Sequence, residues 1–247
     1  MATKKPLVVY SGYVKEIADG DSLSTVGAPA TIPVYKNDGS RDDILLDSSG
    51  AVTAISGATN IDTTTNGTYT IAGGAGWRDI TSDINVKGTG ANNPAWTTFI
   101  NGISTYAFSA TVMQECWLVF HVDHDYKPGT GIYLHTHWST TGTNTGVCRW
   151  GFEYTIAKGH NQSNYGATTT VYAEQAYQGT AYRHMVTETA EITSAELEVD
   201  CLILVRVFRD AAHVNDTLTS VAHLFTSDIH YQADRFATKN KAPNFYT

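Results

Sequence analysis

The sequence predicts an all-β protein: an N-terminal extended arm with small β units, followed by a jelly-roll-like β-sandwich. Three observations predict it. Charged residues fill only 16% of the 247 positions, whereas aromatics reach 11%, with fourteen tyrosines. Tyr and Thr suit pleated, half-exposed surfaces, and Gly, Asn and Asp suit turns. Helical periodicity is nearly absent, and short apolar runs alternate with turn residues without any βα rhythm, which is the pattern of a sandwich or barrel.

Taken in order, the N-terminal part predicts strands over residues 6–14, 31–35, 43–46, 51–55 and 67–71. Further on, strands are predicted over 80–86, 106–111, 115–122, 131–138, 147–157, 168–177, 182–188, 196–208 and 220–235. The stretch 147–157 shows the reasoning. Cys148, Trp150, Phe152, Tyr154 and Ile156 fall on one face, and Arg149, Gly151, Glu153 and Thr155 on the other. That period of two is the signature of a half-buried strand. Residues 194–205 contain some helix formers, but the run from Cys201 to Val205, continued by Val207 and Phe208, reads as a central strand apolar on both faces.

The composition shifts near residue 72. All five tryptophans and all nine histidines follow it, and Ala72-Gly-Gly-Ala-Gly76 reads as a joint. Residues 1–72 are therefore predicted to be an anchoring and oligomerisation arm that orders against partners, and residues 76–247 the globular sandwich.

Composition also excludes classes. Net charge is −8 and Lys and Arg are scattered, which argues against nucleic acid as a partner. No run of ~18 apolar residues offers a membrane span. The opening Met1-Ala-Thr-Lys-Lys-Pro6 lacks a signal-peptide core, so synthesis in a reducing cytoplasm is expected. The odd number of cysteines, Cys116, Cys148 and Cys201, each in an apolar stretch, predicts buried free thiols rather than a disulfide frame.

Four groups of residues carry candidate chemistry. Gly20-Asp-Ser-Leu23 matches the nucleophile motif of GDSL-type esterases, and Asp210-Ala-Ala-His213 their D-x-x-H, which gives a Ser22/His213/Asp210 triad on paper. Those enzymes are α/β proteins, and this chain lacks their helices, so the motif reads as an ordinary turn and no catalytic residue is assigned. Gly129 to His137 resembles the start of the first cupin metal motif, because His135 and His137 at i and i+2 share a strand face. The Glu that cupins place next is missing from 138–146. The same H-x-H resembles that of trimeric phage fibres, in which six histidines from three chains surround a metal on the threefold axis. His135 and His137 are accordingly expected opposite Ile132, Leu134 and Trp138, either as such an axial transition-metal site or as a solvent-facing or hydrogen-bonded pair. His121 to Gly129 predicts a polar turn of a hairpin that brings His121 near His135 or His137. Lastly, Tyr165, Tyr177 and Tyr182 flank Gly-rich turns and are candidates to stack on sugar rings.

Two stretches carry a family resemblance. Val8 to Gly12 with Ile17 to Leu23 resembles the opening of many phage fibre and appendage proteins. Trp77-Arg-Asp-Ile80, Phe120 to Tyr126, Pro128-Gly129 and His135-Thr-His-Trp138 resemble a "W-R-D … H-D-Y-x-P-G … H-x-H-W" series of phage virion proteins. The resemblance implies a virion location without separating head from tail. On this reading the chain is a non-enzymatic structural protein, expected to be a homotrimer. Its expected partners are other phage structural proteins and a host surface glycan. A tail fibre or tail-associated appendage is expected first, a capsid decoration or head-fibre protein second, and a carbohydrate-binding module third.

Overall fold

The computed structural model describes residues 75–87 and 92–246, together with the backbone of five short strands between Leu7 and Ile55. The chain separates into two compact units, Met1–Thr65 and Asn66–Thr247. In the first, β1 (Leu7–Tyr10) and β2 (Tyr13–Glu16) form an antiparallel pair. There too, β3 (Ala30–Tyr35), β4 (Arg41–Leu46) and β5 (Val52–Ile55) form a three-stranded meander with a bulge at Leu45/Leu46. The strand predicted at 67–71 and the motif serine Ser22 lie outside the described residues.

The second unit contains β6 (Gly76–Ser82), β7 (Ala95–Ile100), β8 (Ile103–Phe108), β9 (Gln114–His121) and β10 (Ile132–Ser139). It continues with β11 (Gly146–Ala157), β12 (Thr169–Tyr177), β13 (Met185–Glu188), β14 (Leu202–Arg209) and β15 (Ala222–Ala233). There is no helix among the described residues, and all the strand pairings are antiparallel. Four strands form one sheet in the order β12-β11-β14-β9. Six form the other, in the order β13-β10-β15-β8-β7, with β6 also pairing with β15. The long strand β15 thus pairs with β10 along one edge, and with β6 and β8 at different heights along the other.

The two sheets bury one core between them, which makes this unit a β-sandwich. Phe120, Trp150, Phe152, Ile203 and Val207 from the four-stranded sheet join Ile132, Leu134, Trp138, Ile229 and Tyr231 from the six-stranded one. Phe108 meets Trp150 edge-on at 5.1 Å between ring centres. The alternation predicted for 147–157 holds at most positions: Cys148, Trp150, Phe152 and Ile156 are buried and Arg149, Glu153 and Thr155 half-exposed, whereas inward Tyr154 is only half-buried and outward Gly151 is buried. Gly151 faces Phe208 across the register, and a methyl group there would stand 2.2 Å from the ring, so only glycine lets Phe208 lie flat on the strand.

The structure corrects the strand reading in several places; the strands predicted over 80–86 and 182–188, for instance, run over Gly76–Ser82 and Met185–Glu188. First, β9 and the strand after the polar turn do not form a hairpin. β9 pairs with β14 and β10 with β15 and β13, so residues 122–131 cross from one sheet to the other. Second, the strand predicted over 196–208 starts at Leu202. Residues 194–201 form turns that still bury Leu197, Val199 and Cys201, with Asp200 at φ +62°. Third, β7 was not predicted. It forms a tight hairpin with β8 through Asn101-Gly102, where Asn101 adopts φ +49°. Its exposed, mixed residues carry no clean alternation, although Asn-Gly is a strong hairpin signal.

Candidate functional site

Strand alternation and register assemble a row of titratable groups on the face of the six-stranded sheet opposite the core. On β10 this face carries Tyr133, His135 and His137. His135 pairs with Asp228 of β15 on one side and Glu188 of β13 on the other. Two residues along β15, His230 pairs with Asp79 of β6. Directly opposed residues on one face have Cβ atoms ~4.5–5.5 Å apart, so four strands place six polar side chains within reach of each other. Next to the row, the register slips between His137 and Trp138, and Phe225 is the extra residue on β15. Such bulges re-aim neighbouring side chains.

As expected, His135 and His137 lie opposite Ile132, Leu134 and Trp138, but His135 is not solvent-facing: its side chain is 1% exposed, against 24% for His137 and 6% for Asp228. Three ligand-type atoms converge. His135 Nε2 is 3.0 Å from His137 Nε2 and 2.7 Å from Asp228 Oδ1, and His137 Nε2 is 3.3 Å from the same oxygen. Burial holds His137 below the ordinary histidine range, more strongly than Asp228 pulls it back up. On its outer side His137 Nδ1 is 2.8 Å from His184 Nε2. His230 is clamped: Nε2 lies 2.6 Å from Asp79 and Nδ1 2.6 Å from Glu188.

The residues that the sequence singled out before the polar turn take other partners. Because β9 is in the other sheet, His121 meets Asp200 at 3.1 Å instead of His135 or His137. His124 and His160 reach the same carboxylate at 2.9 and 2.8 Å. Burial pushes Asp200 up, but the bond from His160 and the nearby His124 and His121 outweigh it and hold the carboxyl below its usual range. A cleft of about 340 Å³ opens beside this group, lined by His121, His160, Asp200 and the half-exposed ring of Tyr165. Tyr182 is also exposed, edge-on to Phe99. Tyr177 is a correction: it is 1% exposed, its ring packs on Trp138 and its hydroxyl donates to Thr180 O, so it has no face free for a sugar. The last position of an alternating strand points to the core, and that parity decided its fate over the adjacent Gly-containing turn.

Of the paper triad, Asp210 accepts from Arg149 Nε, and His213 Nδ1 accepts from the backbone N–H of Asn215. Both are engaged in an ordinary surface turn, with His213 N–H donating to Asp210 O.

Of the segments that carried the virion resemblance, 77–80 reaches 120–129 through Arg78 and 135–138 through Asp79, from opposite faces of β6. Arg78 bonds buried Asp125 at 2.6 Å, and Tyr231 Oη donates to the other Asp125 oxygen at 2.7 Å. Trp77 stands edge-on to Tyr133 at 5.6 Å, and Asp79 holds His230. Sequence reasoning missed Asp228, His230, Glu188 and Asp200 as site residues. One usable signal existed: Asp228-Ile-His230 places two ligand-type side chains on one face of a predicted strand, as His135-Thr-His137 does. No protein-family model matches the chain, and no curated protein matches it.

Proposed function

We propose that this chain is a non-enzymatic structural protein of a bacteriophage particle, an oligomeric appendage of tail-fibre or tail-associated type. Residues 1–72 serve as the anchoring arm and residues 76–247 as the exposed sandwich, read as jelly-roll-like. One observation supports the reading: β6 of the virion-type series pairs Arg78 with Asp125 of the 122–131 crossing on one face of the sheet and sets Asp79 within 4.8 Å of His135 of β10 on the other. Exposed large apolar side chains support association with further copies. Trp96 on edge strand β7 is 64% exposed, and Trp77, Ile103 and Phe236 are exposed too. A homotrimer is the proposed assembly.

Light scattering on the full-length chain tests this. A trimer is expected, and a stable monomer at micromolar concentration counts against it. Antibody to this protein should decorate phage particles in electron micrographs; label confined to unassembled protein refutes a virion role. A second reading, glycan binding, is favoured by the cleft beside Tyr165 and Asp200. Tyr165→Ala should then abolish capture on a glycan array without changing the oligomer.

A further inference from the structure

We infer that His135, His137 and Asp228 bind one divalent first-row transition-metal ion, and that the site is complete within a single chain. The first support is shape. The three converging atoms form a triangle with edges of 2.7, 3.0 and 3.3 Å. Adjacent ligands at ~2.1 Å from an octahedral centre are ~3.0 Å apart, so the triangle fits one face of such a centre. Two neutral imidazoles and a carboxylate suit Zn, Co, Ni or Fe(II) rather than Mg or Ca.

The second support is what the side chains lack without an ion. Asp228 Oδ1 is buried and forms no properly directed hydrogen bond, although His135 Nε2 is only 2.7 Å away. Without an ion, His135 Nε2 is shared with His137 Nε2 at 3.0 Å, and the carboxylate oxygen beside both is left over. His135 Nδ1 is likewise buried without a hydrogen-bond partner. A buried, unmatched polar atom costs ~1–3 kcal/mol, so two beside each other call for an explanation.

The third support is the outer ring of partners. A histidine that ligates through Nε2 carries its proton on Nδ1, and metal-bound histidines almost always donate that proton to an acceptor. His137 Nδ1 has His184 Nε2 at 2.8 Å, and His135 Nδ1 faces Glu188 Oε2 at 3.8 Å, a small side-chain adjustment away. The alternative grouping of Asp79, His135 and His230 is weaker. Asp79 is half-exposed there, and His230 is already held through Nδ1 by Glu188 at 2.6 Å, so that group is less enclosed than the one around Asp228. Because each chain supplies all three ligands, the site needs no threefold axis, and its remaining coordination positions are open to water or to a group from a neighbour.

The test uses full-length protein without a His tag, stripped by chelator and titrated with Zn²⁺ and Co²⁺, with metal content read by elemental analysis. One ion per chain is expected, with the weak visible Co²⁺ bands of a five- or six-coordinate centre and a higher melting temperature. Asp228→Asn and His137→Ala should each weaken Zn²⁺ binding more than ~100-fold, and Glu188→Gln ~10-fold, while His124→Ala at the Asp200 cluster changes nothing. One ion per three chains, no stoichiometric ion, or unchanged affinity in Asp228→Asn overturns the inference. Should both ligand variants fail to fold, the half-exposed Glu188→Gln decides alone, and unchanged affinity there is fatal.

Discussion

Asp216→Ala should be among the most damaging single substitutions in the sandwich. Its side chain and that of Arg209 are both fully buried and pair at 2.8 Å. The pair is bidentate, because Arg209 Nε also donates to Asp216 Oδ2 at 3.0 Å. The remaining guanidinium hydrogens go to main-chain carbonyls: Nη1 to Ser220 O and Phe108 O, Nη2 to Leu218 O. All five donors of the fork are thus in use. Asp216 in turn accepts the backbone N–H of Arg149 at 3.0 Å. Removing the carboxylate leaves a buried cation uncompensated, which costs ~3–5 kcal/mol. For a unit of this size ~1 kcal/mol lowers the melting temperature by ~2–4 °C, so a fall of ~6–20 °C is expected. Replacing both partners with apolar residues often restores stability to a buried pair. It should fail here, because Arg209→Met removes the guanidinium donors from three main-chain carbonyls. Urea unfolding followed by tryptophan fluorescence measures both variants. A loss under ~1 kcal/mol in Asp216→Ala, or full recovery in Arg209→Met/Asp216→Leu, refutes the reasoning.

Other expectations follow from single observations. Gly151→Ala should destabilise by ~1–3 kcal/mol in urea melts, because the added methyl drives Phe208 off the strand; an unchanged midpoint contradicts that packing. The three thiols are buried, and burial pushes Cys116 and Cys148 up to about 12 and Cys201 to about 11. None should react with iodoacetamide at pH 8 until urea unfolds the chain, and mass spectrometry of native protein counts any that do. Asp200 has a folded pKa below its unfolded value of 3.8, so its contribution is intact above that pH and is lost as pH falls toward the folded value. Asp200→Asn, tolerable at φ +62°, should lower stability at neutral pH and flatten the acid limb below about pH 4. Parallel acid melts of the two proteins would show the idea wrong.

Much of the sandwich was legible in sequence because alternation reports burial directly. β11 gave up its inward face residue by residue, and the parity of His135 and His137 followed from Leu134 and Trp138. Partner choice was not legible. Nothing within residues 114–139 says that β9 and β10 belong to different sheets, since that depends on β14 and β15 far downstream. The companions of His135 were hidden for the same reason. Asp228, Glu188 and Asp79 lie on three other strands, and only register brings them together. Tyr177 was misplaced because its neighbouring glycine turn was weighed above the parity of its own strand.

The position of β15 also bears on how the chain is made. It is the last of the fifteen described strands, yet it lies at the middle of the six-stranded sheet and joins β6, β8 and β10. During synthesis those three strands emerge before the strand that unites them, and their edges stay open until it arrives. A chain cut before Ala222 cannot close the sheet at all, and its unpaired edges invite association with other unfinished copies. Folding of this unit therefore waits for β15, and chains that lack it do not reach the compact state.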